Sequence, residues 1–253
     1  MKKVLLVIIL LHVSISFSQS SNSIESSFPV NYFESPMDIP LILSGTFAEL
    51  RTNHFHSGID LKTNQREGIN VLASAEGYIS RIKVSHWGFG KAIYITHPNG
   101  FTTVYGHLQK FSNRIENYIK KEQYKNESFE VEVFPSSKEL PVSKKELIAY
   151  SGRTGGFMAP HLHFEIRDTK TEETINPLYF GFNFSDTTKP KINTLVAYSL
   201  DETSHINAIN SPVQLTLTKA ANGDLIANSI TAFGNIGFGI NAYDQLNAAP
   251  NQN

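Results

Sequence analysis

Two histidine motifs contain the residue types that most readily bind a transition metal. The first places His56 four residues before Asp60, and the second places His161 two residues before His163. A third histidine, His107, lies between them. Neutral imidazoles and a carboxylate suit Zn²⁺, and a site with three protein ligands leaves a coordination position open for water. Because such sites hydrolyse bonds, the motifs indicate hydrolytic zinc chemistry.

The spacing of the second motif predicts a β-strand that lines a cleft. Alternate residues of a strand face the same side, so His161 and His163 are expected to face the cleft together. Leu162 and Phe164 are expected to face the other way, into the core.

A loop or bulge, rather than a helix, is expected to present the first motif, because a glycine separates His56 from Asp60 in a β-rich context. His54 forms a further His-x-His with His56 and competes with it as a ligand, but the four-residue step to Asp60 favours His56. His86 and His97 lie outside the motifs and are predicted to be surface or turn histidines.

The elements around these motifs are predicted to be mainly β-strands. Runs of β-branched and aromatic residues separated by turn signals indicate strands, and the pair Asn99-Gly100 predicts a hairpin. The strands are expected over residues 71–84 with a turn at 76–77, and over 91–96, 101–108, 129–134, 147–150 and 161–166. This pattern predicts an antiparallel β sandwich or barrel.

One segment breaks the β pattern. Residues 111–125 carry apolar side chains at helical spacing, with Asn113 as a possible N-cap and Glu116 three residues later. We therefore predict a short amphipathic helix there.

The N-terminus has the layout of a secretory signal peptide over residues 1–18. Basic Lys2 and Lys3 precede an apolar run from residue 4 to 13, and small residues lead to a cleavage site after Ser18. A buried N-terminal strand or helix is the alternative. The apolar run is too short to span a bilayer. We therefore expect export to the periplasm, the cell envelope or the extracellular space, with no transmembrane anchor after cleavage.

Composition excludes some partners and attachments. Acidic residues number 23 and basic residues 22, which argues against nucleic acid as a partner. The chain has no cysteine, so it has neither disulfides nor the residue that anchors a bacterial lipoprotein.

The remaining chain is predicted to divide into a lead-in and two domains. Residues 19–39 form the N-terminal lead-in and residues 40–184 the first domain, and a polar stretch then leads to a second β domain over residues 187–253. That second stretch is short for a β sandwich of about 100 residues. We expect it to be the start of an immunoglobulin-like sandwich, truncated in this sequence.

Taken together, the motifs resemble the M23 family of zinc metallopeptidases, the lysostaphin/LytM-like peptidoglycan endopeptidases, with a Bacteroidetes-like cast that suggests a Gram-negative envelope. The resemblance covers about residues 40–180. The matching motifs are Phe47-Ala48-Glu49-Leu50-Arg51, His54-Phe55-His56-Ser57-Gly58-Ile59-Asp60, Thr103-Val104-Tyr105-Gly106-His107-Leu108, Ser151-Gly152-Arg153-Thr154-Gly155-Gly156 and Pro160-His161-Leu162-His163-Phe164-Glu165.

The resemblance implies roles for five residues. It implies that His56, Asp60 and His163 bind Zn²⁺, and that His107 and His161 act beside them as general base or transition-state stabilisers. It also implies a zinc-dependent endopeptidase that hydrolyses peptide cross-links between the peptide stems of bacterial peptidoglycan. A D-alanyl–diaminopimelate bond is then the expected target, rather than a glycine bridge.

Two features depart from compact members of that family. The long connection between the third and fourth of these motifs predicts an insertion over about residues 109–146, which could wall the groove, gate it or bind an envelope protein. The second β domain could likewise bind such a partner. Phe157 and Met158, which precede the second histidine motif, are bulkier than the small polar residues expected there and could alter substrate preference.

Two other functions compete with catalysis. Some relatives have lost zinc ligands and serve as envelope scaffolds or activators of cell-wall amidases, and retention of all five residues argues against that role here. Alternatively, the second β domain could supply the main function, such as wall or partner binding, with peptidase activity secondary.

Overall fold

The computed structural model describes residues 28–156, 159–182, 184 and 186–247. The predicted signal peptide and the bulky pair Phe157 and Met158 lie outside the described residues. No helix in the described part of the chain is both long and apolar enough to cross a bilayer.

The described chain is mainly β, and its named strands pair antiparallel. The first part contains β1 Leu43–Gly45, β2 Ile59–Lys62, β3 Asn70–Leu72, β4 Gly77–Val84, β5 Lys91–Thr96, β6 Phe101–Gly106, β7 Leu108–Phe111, α1 Asn113–Lys125, β8 Val131–Val133, β9 Pro141–Val142, β10 Leu147–Ser151, β11 His161–Asp168, β12 Thr174–Ile175 and the short 3₁₀ helix Pro177–Phe180. The second part contains β13 Lys191–Ser199, β14 His205–Ile206, β15 Val213–Leu215, β16 Leu217–Lys219, β17 Leu225–Ala227, β18 Ala232–Phe233 and β19 Ile236–Tyr243. The predicted mainly β, antiparallel class is confirmed.

Two sheets of the first part enclose one hydrophobic core. The larger has the strand order β1-β2-β11-β6-β5-β4-β8, with β12 beside β11 and β9 beside β4, and the smaller has the order β3-β10-β7. Leu61 and Phe164 of the larger sheet share the core with Val71 and Ile148 of the smaller one. Strands β10 and β11 thus lie on opposite sides of that core. In its sheet, β11 lies between β2 and β6.

Strand β11 has the two faces that its sequence predicts. Leu162 and Phe164 are fully buried in the core, whereas His161, His163 and Glu165 lie on the opposite face. Burial of the two apolar side chains therefore fixes which way the histidines point.

The predicted strand over residues 101–108 is broken at His107. Strand β6 ends at Gly106 and β7 begins at Leu108, because His107 adopts a left-handed backbone conformation with φ 58°. Its backbone N–H donates to the carbonyl of Phe89, at 2.8 Å, which fixes the bend. A left-handed conformation is rare for a residue with a side chain and marks functional positions.

The helix begins at the expected place but with a different cap. Ser112, not Asn113, is the N-cap, and it makes no side-chain capping hydrogen bond. The Glu116 carboxylate accepts instead from the backbone N–H of Phe111, at 3.2 Å. The helix buries Ile115 and packs beside β7 and β8, while β8 and β9 both pair with β4. The 109–146 segment thus extends the larger sheet.

Other predicted elements differ at their ends. The strand expected over 129–134 is shorter, because only its central residues pair with β4. Part of the predicted lead-in belongs to the first core, since Phe33 and Met37 are buried in it and the N–H of Glu34 donates to the carbonyl of Ser74.

The second part has its own small core. Strands β15, β13 and β19 form a sheet, and Ala197, Ile206 and Leu215 are buried beneath it. Leu246 returns to pack against the core of the first part. The domain boundaries and the immunoglobulin-like assignment of this part stay predictions.

Tyr105 of β6 ties the larger sheet to the segment between β3 and β4. Its buried hydroxyl accepts from the backbone N–H of Ser74, at 2.9 Å. Tyr105→Phe leaves that donor without a partner in a dry core, so we expect the free energy of unfolding to fall by about 1–3 kcal/mol. Tyr124→Phe is the matched control, because Tyr124 is 83% exposed, and it should change stability by less than about 0.5 kcal/mol. Urea denaturation measures both, and equal stabilities would contradict this account.

Candidate metal centre

Three donor atoms from the two histidine motifs converge at one point. His56 Nε2 lies 3.1 Å from Asp60 Oδ1 and 3.0 Å from His163 Nδ1, and His163 Nδ1 lies 3.0 Å from Asp60 Oδ1. All three side chains are buried. The structure thus brings together the three residues predicted to bind the metal, and they could hold an ion.

Strand register places two of the donors side by side. In the antiparallel pair of β2 and β11, Asp60 lies directly opposite His163. On the other side of β11, His163 lies opposite Gly106, where an added Cβ would be 3.3 Å from the Cβ of His163. His56 comes from the loop before β2, as predicted, and its N–H donates to the carbonyl of Glu49 at 2.8 Å.

Hydrogen bonds at the far side of each ring set the protonation of both histidine donors. The Nδ1–H of His56 donates to the carbonyl of Thr46, at 2.7 Å, so Nε2 carries the lone pair. The Nε2–H of His163 donates to Glu165 Oε1, at 2.9 Å, so in the neutral ring Nδ1 carries the lone pair. Metal-binding histidines are held in this way in proteins.

The donor set fits a zinc ion. When both rings are neutral, two lone pairs and a carboxylate oxygen face one another at 3.0–3.1 Å, and these atoms repel one another unless a proton or a metal cation lies between them. A tetrahedral site with zinc–ligand distances of about 2.0–2.2 Å has edges of roughly 3.3–3.6 Å, slightly longer than these separations. The ligand types, two imidazoles and one carboxylate, also occur in catalytic zinc sites.

Two ion pairs stabilise the carboxylates of the centre. Arg51 Nη2 donates to the second oxygen of Asp60, at 2.9 Å. Arg167 Nε donates to Glu165 Oε2 at 2.6 Å, and Arg167 Nη2 lies 2.6 Å from the same oxygen. The hydroxyl of Ser57 donates to Glu165 Oε1. Glu165 is fully buried, so its charge needs these partners.

The electrostatics of the centre favour bound positive charge. Burial lowers the pKa of His163, but hydrogen bonds to Asp60 and Glu165 and their charges outweigh it and raise the pKa to about 9. Burial raises the pKa of Asp60, yet bonds to His163 and His56 hold it far below its usual range. Burial opposes ionisation of Glu165 too, but His163 and Arg167 lower its pKa to about 2.

His107 and His161 lie beside the donors, as predicted. Their ring centroids are 4.7 Å apart, and His161 Nε2 lies 3.7 Å from Asp60 Oδ1. The Nδ1–H of His107 donates to the carbonyl of Thr154 and that of His161 to the carbonyl of Ala159, both at 2.9 Å. When either ring is neutral, Nε2 is therefore the atom that can accept a proton.

The surroundings of His107 keep its ring neutral. Burial lowers its pKa to about 3, with further lowering by the charges of His161 and His163. A neutral imidazole can accept a proton at neutral pH, which an imidazolium cannot.

Among the residues that the structure describes, the other histidines do not join the cluster. His54 is exposed and bonds to Asn53, so the structure favours His56 over it. His86 is exposed and bonds to Glu130, as expected of a surface residue. The prediction for His97 needs correction: it is buried, with ring nitrogens bonded to the carbonyl of Glu76 and the hydroxyl of Thr103, and burial lowers its pKa to about 4.

Sequence reasoning missed the supporting residues. Glu165 and Arg167 follow His163 at two-residue steps on one strand, and this alternation was the available signal. Arg51 lies in a motif that carries the family resemblance, but neither its bond to Asp60 nor the role of Phe89 could be inferred, because both depend on loops. Phe89 stacks on His163 with ring centroids 4.7 Å apart.

The donors line a cleft of about 300 Å³. Its walls include Gly88 and Phe89 on one side and the loop over residues 51–57 on the other. This volume lies at the lower end of the range for small-ligand pockets, so the cleft beside the three metal-ligand candidates has room for a ligand.

Comparison with known proteins agrees with this geometry. Residues 54–124 match the family described as Peptidase family M23. The resemblance to family M23 is confirmed. The matched region includes three of the five predicted site residues, His56, Asp60 and His107.

The alignments with individual relatives cover only part of the length of each relative. The DD-carboxypeptidase/endopeptidase Mpg of Neisseria meningitidis is 35% identical over 118 residues, 47% of this chain and 21% of that protein. A Haemophilus influenzae protein named as an uncharacterized metalloprotease is 30% identical over 123 residues, 49% of this chain and 20% of that protein. The chain thus spans about a fifth of the length of these curated relatives.

A solved structure with a similar fold is the catalytic domain of lysostaphin from Staphylococcus simulans. The alignment has a TM-score of 0.39 at 24% identity, and it covers 55% of this chain and 88% of that domain.

The raised pKa of His163 predicts how metal affinity varies with pH. In the metal-free protein His163 is protonated below about pH 9, and the metal must displace that proton. Affinity for zinc should therefore rise by about tenfold per pH unit between about pH 7 and 9 and then level off. Competition with a chelator at several pH values measures this, and a flat profile would contradict it.

Glu165→Gln tests the cause of that profile. The amide can still accept a hydrogen bond from the His163 N–H, but the substitution removes the negative charge that raises the pKa of His163. The rise of zinc affinity with pH should therefore end at a lower pH. Zinc affinity on the plateau should fall by about 10–100-fold. Glu132→Gln, at a partly exposed ion pair with Arg81, is the control and should behave like the unaltered protein.

Proposed function

We propose that this chain is a zinc-dependent endopeptidase that hydrolyses peptide cross-links of bacterial peptidoglycan. The convergence of His56, Asp60 and His163 beside the imidazoles of His107 and His161 is the observation that carries the proposal. The M23 match supports a peptidase, and the relative named as a DD-carboxypeptidase/endopeptidase supports a peptide bond in the cell wall as the target.

The side chains of this site divide the work of hydrolysis. His56, Asp60 and His163 would hold zinc, which when bound lowers the pKa of a water ligand and polarises a carbonyl. His107 and His161 each offer Nε2 toward the reaction and are anchored through Nδ1. We assign to these two atoms the removal of a proton from the attacking water and its delivery to the leaving amine.

We also propose that the chain is exported from the cytoplasm. The signal-peptide layout of residues 1–18 supports delivery to the periplasm or cell envelope, where peptidoglycan peptide stems are available. The competing roles, an envelope scaffold or an amidase activator, require no hydrolysis and so are separated by the same experiment.

The test uses the purified, zinc-loaded chain with intact sacculi, with and without a chelator. Mass spectrometry identifies the fragments released. We expect chelator-sensitive release of uncross-linked peptides. Failure to release them despite one bound zinc per chain would contradict the catalytic role and favour the scaffold or activator role.

Two histidine variants test the division of labour. His163→Ala should abolish both zinc binding and hydrolysis, because it removes a donor. His161→Ala should keep most of the zinc but lose about 100-fold or more in rate, the usual contribution of proton transfer. His86→Ala, at an exposed position, should alter neither. Equal zinc loss in the two site variants, measured by metal analysis after dialysis, would contradict these assignments.

A further inference from the structure

The single tryptophan of the chain lies exposed beside the cleft. Trp87 is 77% exposed. The next two residues, Gly88 and Phe89, line the cleft, and Phe89 stacks on the metal-ligand candidate His163. Tryptophan is mostly buried in folded proteins, and exposed tryptophan is enriched where a protein meets a partner. An exposed indole that continues the wall of a cleft therefore indicates contact with a ligand.

The backbone that carries this indole is held in place. The Trp87 N–H donates to Ser85 Oγ, at 3.1 Å, and the Ser85 hydroxyl donates to the Trp87 carbonyl, at 2.6 Å. The N–H of Gly90 donates to the same carbonyl, at 3.3 Å, and closes a four-residue turn. Gly88 and Gly90 have the left-handed conformations that this turn requires, with φ 66° and 63°. A fixed turn lowers the entropic cost of binding a ligand on the indole.

The indole packs against glycine in the loop over residues 152–156. An added Cβ at Gly156 would be 3.3 Å from Cε3 of the indole, and an added Cβ at Gly155 would collide with the carbonyl of Gly88. The absence of side chains at these two positions lets the turn and the loop approach each other. The loop thus supports the indole and still leaves most of it exposed.

The insertion continues this surface. Glu130 Oε1 accepts from the backbone N–H of His86, at 2.6 Å, which ties the turn to the segment before β8. The preceding residue, Phe129, is also exposed. It lines a hollow of about 410 Å³ together with Lys120, Gln123, Tyr124, Glu127 and Ser128. This lining has one basic and one acidic side chain among amide, hydroxyl and aromatic groups, so the hollow suits a polar ligand without strong charge.

A sugar ring has the two properties that such a surface selects. One face of a pyranose consists of C–H groups with a slight positive charge, and the face of an indole is negative. The edge of the sugar carries hydroxyl and acetamido groups, which need hydrogen-bond partners of the kind that line the hollow. A strongly acidic or basic protein partner would find no complementary charge there.

The glycan strand of peptidoglycan comes within reach of Trp87 when a stem peptide lies in the cleft. A stem of roughly four residues spans at most about 14 Å when extended, and one end of it is covalently joined to a sugar. Trp87 and Phe89 belong to one turn, whose ends lie within about 7 Å of each other, and the Phe89 and His163 ring centroids are 4.7 Å apart. A stem bound across the donors can therefore place its sugar on the indole.

We infer that Trp87 stacks on a sugar ring of the glycan strand that bears the peptide stem, and that the hollow beside Phe129 binds a neighbouring sugar. This inference rests on the proposed function and adds a part of the substrate outside the scissile peptide. The chain then distinguishes cross-linked stems that are still attached to glycan from free cross-linked peptides.

Binding to the metal-free protein tests the subsite without hydrolysis. Tryptophan fluorescence reports on residue 87 alone, because the chain has no other tryptophan. The probes are a disaccharide–tetrapeptide of N-acetylated sugars and the same tetrapeptide without sugar. We expect the first to shift the emission to shorter wavelength, since stacking removes water from the indole, and to bind about tenfold more tightly than the second. The bare tetrapeptide should leave the emission wavelength unchanged.

Three variants test the residues by isothermal titration with the same two probes. Trp87→Ala should abolish the tenfold difference, and Trp87→Phe should keep part of it because a smaller aromatic ring still stacks. Phe134→Ala is the matched control and should keep all of it. Phe134 is an aromatic residue of the same insertion and is 70% exposed, but its ring faces Arg81.

Hydrolysis separates this inference from the proposed function. With the zinc-loaded chain, kcat/KM for a cross-linked dimer that carries its disaccharides should exceed that for the sugar-free dimer by about tenfold, mainly through KM. Equal affinities for the two binding probes, or a difference that survives Trp87→Ala, would overturn the glycan subsite. An equal emission shift with the bare tetrapeptide would assign the indole to the peptide stem and also overturn it. Absence of hydrolysis of both dimers, with the sugar preference in binding intact, would instead overturn the proposed function.

Discussion

The antiparallel register of β2, β11 and β6 is the constraint on which the site depends. It sets Asp60 opposite His163 and His163 opposite Gly106. A slip of one residue would turn the histidines into the core and Leu162 and Phe164 into the cleft. Because burial of those apolar side chains opposes such a slip, the hydrophobic core itself fixes the polar donors in place.

The same geometry brings electron-rich donor atoms close together, so the centre favours a bound cation. Each donor is oriented by a hydrogen bond on its far side, so the lone pairs cannot turn away from one another. The pKa of His163 is raised because the hydrogen bonds and charges of Asp60 and Glu165 outweigh the effect of burial, so a proton binds where zinc would bind. The low pKa of His107 follows from the same burial and from the neighbouring imidazoles. Ligand placement and the neutrality of the nearby base thus have a common physical origin.

Much of this arrangement could be predicted from the sequence because it depends on strand periodicity. The two-residue step of His161 and His163 predicts a shared face, and the apolar residues between them predict which face is buried. The left-handed backbone at His107 was not predictable, because it depends on contact with the loop of Phe89. The burial of His97 was missed for a related reason: its partners are a distant carbonyl and a hydroxyl that only tertiary packing brings near.

The location of bound zinc tests the central claim most directly. Crystals of the chain grown with stoichiometric zinc would be measured by anomalous diffraction at the zinc absorption edge. The account predicts one dominant peak, about 2.0–2.2 Å from His56 Nε2, Asp60 Oδ1 and His163 Nδ1. A dominant peak bound by other side chains, such as His54, or no peak between the three donors, would contradict it.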